Sequence, residues 1–291
     1  MKGNGALRSI AGLILAATLS SACASQASTG PKDNPPKHNP GVDRLVLRID
    51  TRGGLLPPAQ ALTQIPQFSL YSDGRILTQG AQIEIYPGPA LPPVFSTHVS
   101  DDGFGLIIKN ARQAGLDGPD RHYDLPNVAD AATTTFTFVE NGRRHAISAY
   151  ALGIESTSQS IPGSERQVRA KLLELEMRLG NLRGWLPEGS LSRDVPFAYQ
   201  ELAVFVTSRL EGEQMPEPEI TWPLDRSIAE LARPVNAGSD VSCFTVTDQN
   251  LKKLRPLVTR ANQLTPWKNE TKTYWLRFRP LLPDESGCPE A

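Results

Sequence analysis

One stretch, Thr133 to Leu152, constrains the fold more than any other part of the chain, because its strand pairing can be read from the sequence. Asn141-Gly142 lies at its centre. These two residue types tolerate the positive φ angles that both central positions of a type I′ turn require. The sequence therefore predicts an antiparallel hairpin whose two-residue turn is at residues 141 and 142.

Counting outward from that turn gives the register of the hairpin. Glu140 lies opposite Arg143, and side chains alternate between the two faces of a strand. The same register pairs Phe138 with His145, Phe136 with Ile147, and Thr134 with Ala149. One face is then mostly apolar in both strands, and a slip of one residue would destroy that separation. We predict a half-buried hairpin with Phe136, Phe138 and Ile147 in a core.

Residues 1–22 have the layout of an export signal, with Lys2 and Arg8 before an apolar segment of about ten residues. That segment is too short to span a bilayer. The string LSSAC, which ends at Cys23, resembles the lipobox of bacterial lipoproteins. The resemblance implies that Cys23 is lipidated and becomes the new N-terminus. Ser20 stands where the lipobox usually has leucine, and ordinary signal cleavage after Ala24 is the alternative.

Residues 23–41 are predicted to be the lipidated N-terminus and a disordered tether. The tether lacks aromatic and branched apolar residues and is rich in Pro, Ser, Asn and Lys, so it cannot bury enough surface to order itself. Removing residues 1–22 reduces the 30 basic residues to 28 against 31 acidic residues, a formal net charge of −3. The mature chain is therefore nearly neutral, and this argues against nucleic acid as a partner.

The folded part is predicted to be α+β, with two small domains that each have a mostly antiparallel sheet and one or two packed helices. Residues 42–160 form the first domain. Its sequence predicts strands at residues 45–50 and 82–86, and a hairpin at Asp73-Gly74 that places Leu70 opposite Leu77. Ser100 is predicted to cap a helix whose apolar residues recur at helical spacing.

Residues 161–291 form the predicted second domain. Ser164 and Gln167 resemble a capping box, which predicts a helix with an apolar stripe that ends near Leu182. Strands are expected at residues 202–207, 220–224, 243–246 and 274–278, and a further helix between 251 and 264. Pro256 lies inside that helix, so a kink or a break is expected there.

Two cysteines remain beyond Cys23, namely Cys243 and Cys288. In an exported protein an even pair is most simply a disulfide. The enclosed loop of about 46 residues would stabilise the fold by roughly 4 kcal/mol in the chain-entropy model. A reactive or metal-binding pair is the alternative.

Four blocks of the sequence, FSLYSDGRIL, IIKNARQAGL, TTTFTFVENGRRHAISAYAL and FRPLLPDESGC, resemble those of uncharacterised exported lipoproteins of actinobacteria. The likeness spans most of residues 45–288. It implies an exported, anchored α+β protein, and it implies no activity and no catalytic residue.

The chain lacks the G-x-S-x-G, H-E-x-x-H and C-x-x-C motifs. One polar loop, residues 117–132, is longer than usual connections, and long structureless loops tend to be functional or flexible. His122 lies there among four carboxylates, those of Asp117, Asp120, Asp124 and Asp130. Such a set suits a divalent cation or a positioned water. A solvated loop that uses Asp for turn geometry is the simpler interpretation.

The leading hypothesis is a non-enzymatic, extracytoplasmic binding module, anchored to the outer face of the cell membrane, with an envelope protein or glycan as partner and no cofactor or metal. Soluble secretion is the alternative location. One alternative function is an envelope hydrolase that uses the acids of residues 117–130, and another is a small-molecule-binding lipoprotein. A deep pocket with two or more convergent polar residues of perturbed acidity is expected for the hydrolase and not for the interaction module.

Overall fold

The computed structural model describes residues 44–56, 58–81, 85–154, 161–207 and 218–288. These residues belong to one compact unit. Two mixed β-sheets with packed helices build it, which confirms the predicted α+β class. The export signal, Cys23, the tether and residues 82–84 of the predicted strand at 82–86 lie outside the described residues.

Eight strands form the first sheet: β1 (Leu45–Gly53), β2 (Phe68–Tyr71), β3 (Arg75–Gln79), β4 (Val94–His98), β5 (Arg121–Tyr123), β6 (Ala132–Glu140), β7 (Arg143–Tyr150) and β8 (Val195–Pro196). Their order across the sheet is β5-β7-β6-β1-β2-β3-β4-β8. Neighbours are antiparallel except β5 and β7, which run parallel. The predicted central hairpin, β6 and β7, therefore lies between β1 and the edge strand β5.

The structure confirms the predicted register of the central hairpin. Glu140 lies opposite Arg143, and the pairs Phe138–His145, Phe136–Ile147 and Thr134–Ala149 follow. Phe136, Phe138 and Ile147 are buried in one core cluster. Asn141 and Gly142 have φ angles of 51° and 77°, as a type I′ turn requires. The two-residue turn thus sets which side chains of β6 and β7 reach the core.

Gly142→Val is expected to lower the free energy of unfolding by about 1 kcal/mol or more, because a β-branched residue is strained at positive φ. A Cβ at Gly142 would meet no atom within 4 Å, so denaturant melts of this variant measure backbone strain alone. The matched control is Arg143→Gln, an exposed neighbour outside the positive-φ region, with an expected change below about 0.5 kcal/mol. Equally mild effects would contradict the turn type. Glu140 is an unsuitable control because its carboxylate pairs with Arg112.

The predicted register of the β2–β3 hairpin is wrong by one residue. Leu70 lies opposite Ile76 rather than Leu77, because the loop has three residues, 72–74, instead of two. Within it Gly74 has a φ of 81°, and Asp73 Oδ1 accepts a hydrogen bond from the Arg75 amide at 2.9 Å. A turn followed by one left-handed residue is typical of three-residue hairpin loops. The dipeptide Asp-Gly alone does not distinguish the two loop lengths.

The described α-helices are α1 (Pro58–Thr63), α2 (Asp101–Gln113), α3 (Gly163–Gly180), α4 (Ile228–Leu231) and α5 (Asp248–Arg260), with a 3-10 turn at Leu182–Gly184. Ser100 caps α2 as predicted, and its side chain accepts a hydrogen bond from Gly103 N at 3.3 Å. The predicted capping box of Ser164 and Gln167 is wrong. Helix α3 begins at Gly163, and the residue before it, Pro162, provides no side-chain cap.

Helices α2 and α3 cover one face of the first sheet. Leu172, Leu175 and Leu179 of α3 are buried in the same cluster as Phe136 of β6 and Ile107 of α2. By its packing α3 belongs with the first sheet, whereas the predicted division after residue 160 assigned it to the second domain. Strand β8 also joins the first sheet, by pairing with β4.

The second sheet contains β9 (Glu201–Thr207), β10 (Ile220–Thr221), β11 (Arg233–Pro234), β12 (Ser242–Thr247), β13 (Pro266–Asn269) and β14 (Lys272–Pro280). Their order is β10-β13-β14-β9-β12-β11, and β10 runs parallel to β13. Helix α5 packs on one face through Leu251, Leu254 and Val258. It is a single helix that contains Pro256, so the predicted break into two pieces is wrong.

The second face of the first sheet packs against the C-terminal part of the chain. Tyr71, Leu77 and Val94 form a small cluster there with Ile65 and Leu282. A neighbouring cluster joins helix α1 to β9 of the second sheet. These contacts leave a cleft between the two sheets, beside the loop that precedes β4. None of the described helices is both long and apolar enough to cross a membrane.

Candidate functional site

The predicted acid-rich loop is not structureless, because residues Arg121–Tyr123 form the edge strand β5. Asp120 Oδ1 accepts a hydrogen bond from Ala146 N at 2.8 Å. His122 Nδ1 lies 2.8 Å from Ser148 Oγ. Both predicted site residues thus attach the loop to β7.

The five predicted site residues, Asp117, Asp120, His122, Asp124 and Asp130, are all exposed. Asp124 Oδ1 accepts a hydrogen bond from Leu125 N at 2.9 Å, and Asp130 has a φ of 55°. Both features are typical of Asp in turns. Among the residues that the structure describes, no group of three or more His, Cys, Asp or Glu side chains is placed to hold a metal ion.

Cys243 and Cys288 lie at disulfide distance, with 2.05 Å between their sulfur atoms. Cys243 is buried in β12, and Cys288 ends the C-terminal segment, which we define as residues 281–288. The bond therefore attaches this segment to the second sheet.

An ion pair between a buried arginine and a partly buried glutamate holds the same C-terminal segment. Arg279, which is 1% exposed, donates through Nη1 and Nη2 to the two carboxylate oxygens of Glu285 at 2.7 and 2.8 Å. Its Nε donates to the carbonyl of Gln64 at 3.0 Å. Bidentate pairs of this kind are among the strongest and most specific in proteins. The interaction joins β14, the C-terminal segment and the loop after α1.

The first sheet contributes to this network through Arg48 and Tyr71. Arg48 Nη2 and the Tyr71 hydroxyl donate to Asp284 Oδ1 at 2.7 and 2.8 Å. Burial raises the pKa of Tyr71, and the charge of Arg48 only partly offsets this. We call Arg48, Tyr71, Arg279, Asp284 and Glu285 the clamp. Its members satisfy one another, which indicates a structural role.

The cleft contains a polar cavity of about 330 Å³, which we call the amide pocket. Four glutamines and two threonines contribute to its lining, namely Gln64, Gln67, Gln79, Gln263, Thr51 and Thr63. The Gln64 Oε1 atom is buried and has no hydrogen-bond partner among the described residues. Because an unsatisfied buried polar atom costs about 1–3 kcal/mol, this amide is the clearest candidate in the pocket for contact with a ligand.

A second cavity, of about 420 Å³, lies beside the first, and we call it the apolar pocket. Its lining includes five prolines and three aromatic residues: Pro89, Pro92, Pro93, Pro196, Pro280, Phe95, Phe197 and Tyr199. Strands β4, β8 and β14 supply Phe95, Pro196 and Pro280, so both sheets contribute to its walls. The volume lies within the range of about 300–1,000 Å³ of typical ligand sites.

Tyr199 is the residue of the apolar pocket whose polar atom is unsatisfied. The side chain is 8% exposed, and its hydroxyl makes no hydrogen bond of ordinary geometry among the described residues. The Arg255 guanidinium carbon lies 4.5 Å from the ring centroid. Burial raises the pKa of Tyr199, and the charge of Arg255 partly opposes that rise. Tyr199 therefore stays a neutral hydrogen-bond donor at physiological pH.

The two pockets adjoin at Pro89 and Pro92, which line both. These residues belong to the proline loop, defined as residues 85–93. Backbone hydrogen bonds from Ala90 N to Ala261 O and from Gly80 N to Pro93 O fix the loop to the C-terminal end of α5 and to β3. The amide pocket and the apolar pocket are thus parts of one cleft on a backbone that both sheets support.

Amide, hydroxyl, guanidinium and apolar groups make up the described lining of the cleft. No Asp, Glu, His, Cys or Lys is among the described residues that line either pocket, so these residues provide no acid–base pair. Glu176 of α3 lies just outside and bonds Gln67. Burial raises the pKa of Glu176, and this hydrogen bond partly opposes the rise. One carboxyl group beside the cleft falls short of the convergent set expected for a hydrolase.

No sequence pattern predicted these pockets. The run YPGPALPP follows the predicted strand at residues 82–86, and five of its residues, 89–93, line the pockets. The other walls include residues more than 100 positions further along the chain, such as Pro196 and Gln263. A dense cluster of prolines beside alternating strands was the one local signal of a rigid surface.

Comparisons with protein-family models, with curated proteins and with solved structures found no significant match. The resemblance to exported actinobacterial lipoproteins therefore stays an expectation from the sequence.

Proposed function

We propose that this protein is a lipid-anchored, extracytoplasmic binding module without enzymatic activity, and that the cleft between its sheets is the binding site. The main support for this proposal is the apolar pocket. Its cavity of about 420 Å³ combines rigid apolar walls with one buried hydroxyl group, which is the composition of small-molecule sites in general. A small molecule with an apolar body is the ligand that fits these walls best.

The position of the acidic loop gives the hydrolase alternative less support. Strand β5, which carries His122, lies at the edge of the first sheet opposite to β4 and β8. Six strand spacings separate β5 from β4, which is about 29 Å. The acids between residues 117 and 130 are therefore far from the apolar pocket and cannot act on a molecule bound there.

Ala81→Trp is expected to weaken the binding of an apolar fluorescent probe, N-phenyl-1-naphthylamine, by about tenfold or more, which corresponds to about 1.4 kcal/mol. Ala81 is exposed and lines the apolar pocket, so an indole there occupies ligand volume without disturbing the core. Fluorescence titration of the folded protein measures the dissociation constant.

Ala170→Trp is the matched control, because Ala170 is exposed on α3 and lines neither pocket. It should bind the probe as the wild type does. Failure of the wild-type protein to bind the probe saturably, or equal losses in the two variants, would contradict the proposed site.

Anchoring at Cys23 is the second part of the proposal, and it is supported by the LSSAC string. One acyl chain binds membranes only marginally, whereas two or more chains anchor stably. The wild-type protein is therefore expected to fractionate with membranes, and Cys23→Ala to be released or wrongly processed. Mass spectrometry of the mature N-terminus checks this, and a mature chain that begins at Ser25 would contradict it.

A further inference from the structure

We infer that the ligand is amphipathic, with an apolar chain in the apolar pocket and a hydroxyl-bearing head without positive charge in the amide pocket. This inference rests on the proposed binding function and adds the chemical class of the ligand. It follows from Pro89 and Pro92, which line both pockets and so make them neighbours, because one molecule that lies across these two prolines meets two different chemistries.

The amide pocket suits hydroxyl groups. A glutamine amide offers both an acceptor oxygen and two N–H donors, and a hydroxyl group can serve as the partner of either. Gln64 Oε1 is buried and has no partner in the part of the chain that the structure describes, so a ligand hydroxyl that bonds it removes an existing penalty. The terminal torsion of glutamine is broad. A small rotation therefore brings this amide from the wall of the pocket to a bound head group.

The charge of the pocket lining disfavours a cationic head. Arg277 is the one charged residue among the described residues that line the amide pocket, and it already donates to the carbonyl of Gln263. Burying an ionised head is costly unless a counter-charge pairs with it. A cationic head would meet no described carboxylate in the lining. A polyhydroxyl head such as a sugar carries no such cost.

The apolar pocket suits an alkyl chain. Proline side chains lose no rotamer freedom when a ligand covers them, and five of them line this pocket. Burial of each methylene group strengthens binding by about fourfold. Tyr199 supplies a single donor, whose hydroxyl has no partner of ordinary geometry among the described residues. One ether or carbonyl oxygen along the ligand would satisfy it.

The test uses three probes with the folded protein in isothermal titration: octyl glucoside below its critical micelle concentration, 1-octanol, and glucose. 1-Octanol has the alkyl chain of octyl glucoside without its sugar, and glucose has the sugar without the chain. Octyl glucoside is expected to bind about tenfold or more tightly than each of the other two, since only it fills both pockets. Equal affinities of octyl glucoside and 1-octanol would overturn the inference, because the sugar would then contribute nothing.

Gln64→Leu identifies the head site. It should reduce the preference for octyl glucoside over 1-octanol by about fivefold or more and leave 1-octanol binding unchanged. The control is Gln249→Leu, at an exposed position in α5 outside both pockets, which should keep the full preference. An unchanged preference in Gln64→Leu would overturn the inference. Absence of binding by 1-octanol and by the naphthylamine probe would instead contradict the proposed function, so the two failures are distinguishable.

Discussion

Arg279→Met is expected to lower the free energy of unfolding by about 2–4 kcal/mol, because it leaves the partly buried Glu285 carboxylate without its bidentate partner. The Arg279 guanidinium is 1% exposed and makes two hydrogen bonds to Glu285 and one to Gln64. Methionine keeps most of the side-chain length, so the measured loss reports charge and hydrogen bonding rather than a cavity. Equilibrium unfolding in urea is the measurement.

Two further variants separate this mechanism from a general loss of packing. Arg279→Met/Glu285→Leu is expected to recover part of the loss, because it removes the stranded charge as well. Lys253→Met breaks an exposed pair with Asp225, and it should change stability by less than about 1 kcal/mol. A double variant that is less stable than Arg279→Met would contradict the account of the clamp.

The clamp should also make stability depend on pH. Burial by itself would raise the pKa of Glu285, but the hydrogen bonds and charge of Arg279 outweigh it and hold the pKa below its ordinary value of 4.5. The contribution is therefore fully present above pH 4.5 and is lost as the pH falls through the lower folded-state value. The difference in unfolding free energy between wild type and Glu285→Gln should shrink as the pH is lowered below 4.5.

Removing the disulfide is the other change with a large expected effect. Cys243→Ala/Cys288→Ala should lower the free energy of unfolding by about 4 kcal/mol, because the bond closes a loop across a sequence separation of 45 residues. Urea unfolding with and without reductant measures this. The loss should weaken the clamp too, since Cys288 and Glu285 hold the same short segment.

The control for this prediction is reduction itself. Reductant should destabilise the wild type by about as much as the double substitution does and should leave the double variant unchanged. Two free thiols titrated in the unfolded, unreduced wild-type protein would contradict the bond.

Local patterns predicted the parts of the fold that local forces determine. Asn141-Gly142 specifies a turn type, and the register of β6 and β7 follows from it by counting. The Asp73-Gly74 pair is compatible with two loop lengths, so the predicted register of β2 and β3 was wrong by one. The stripe of α3 indicated a buried face but not the sheet that it covers, because periodicity contains no information about the partner.

The clamp and the cleft depend on contacts between distant parts of the chain. Arg48 and Asp284 are 236 positions apart, and no spacing rule connects them. Alternation along β14 predicts that Arg279 lies on the polar face, yet it is buried because the C-terminal segment covers that face. The pockets combine the proline loop with β8 and β14, so their chemistry is visible only after the sheets have come together.

The clamp also contributes to the shape of the cleft. Arg279 holds the carbonyl of Gln64, whose side chain lines the amide pocket. Phe278 and Pro280 flank Arg279 in β14. Phe278 lines the amide pocket, and Pro280 lines the apolar pocket. The rigid network therefore positions the walls on which the proposed binding depends.

Photolabelling with an alkyl probe that carries a diazirine tests the binding site most directly. After irradiation of the folded protein with this probe, peptide mass spectrometry locates the labelled residues. The account predicts labels in two peptides, around residues 89–95 and 196–199, which line the apolar pocket, and loss of these labels in the presence of excess octyl glucoside. Labels confined to other surfaces, or absent from these two peptides, would contradict the cleft as the ligand site.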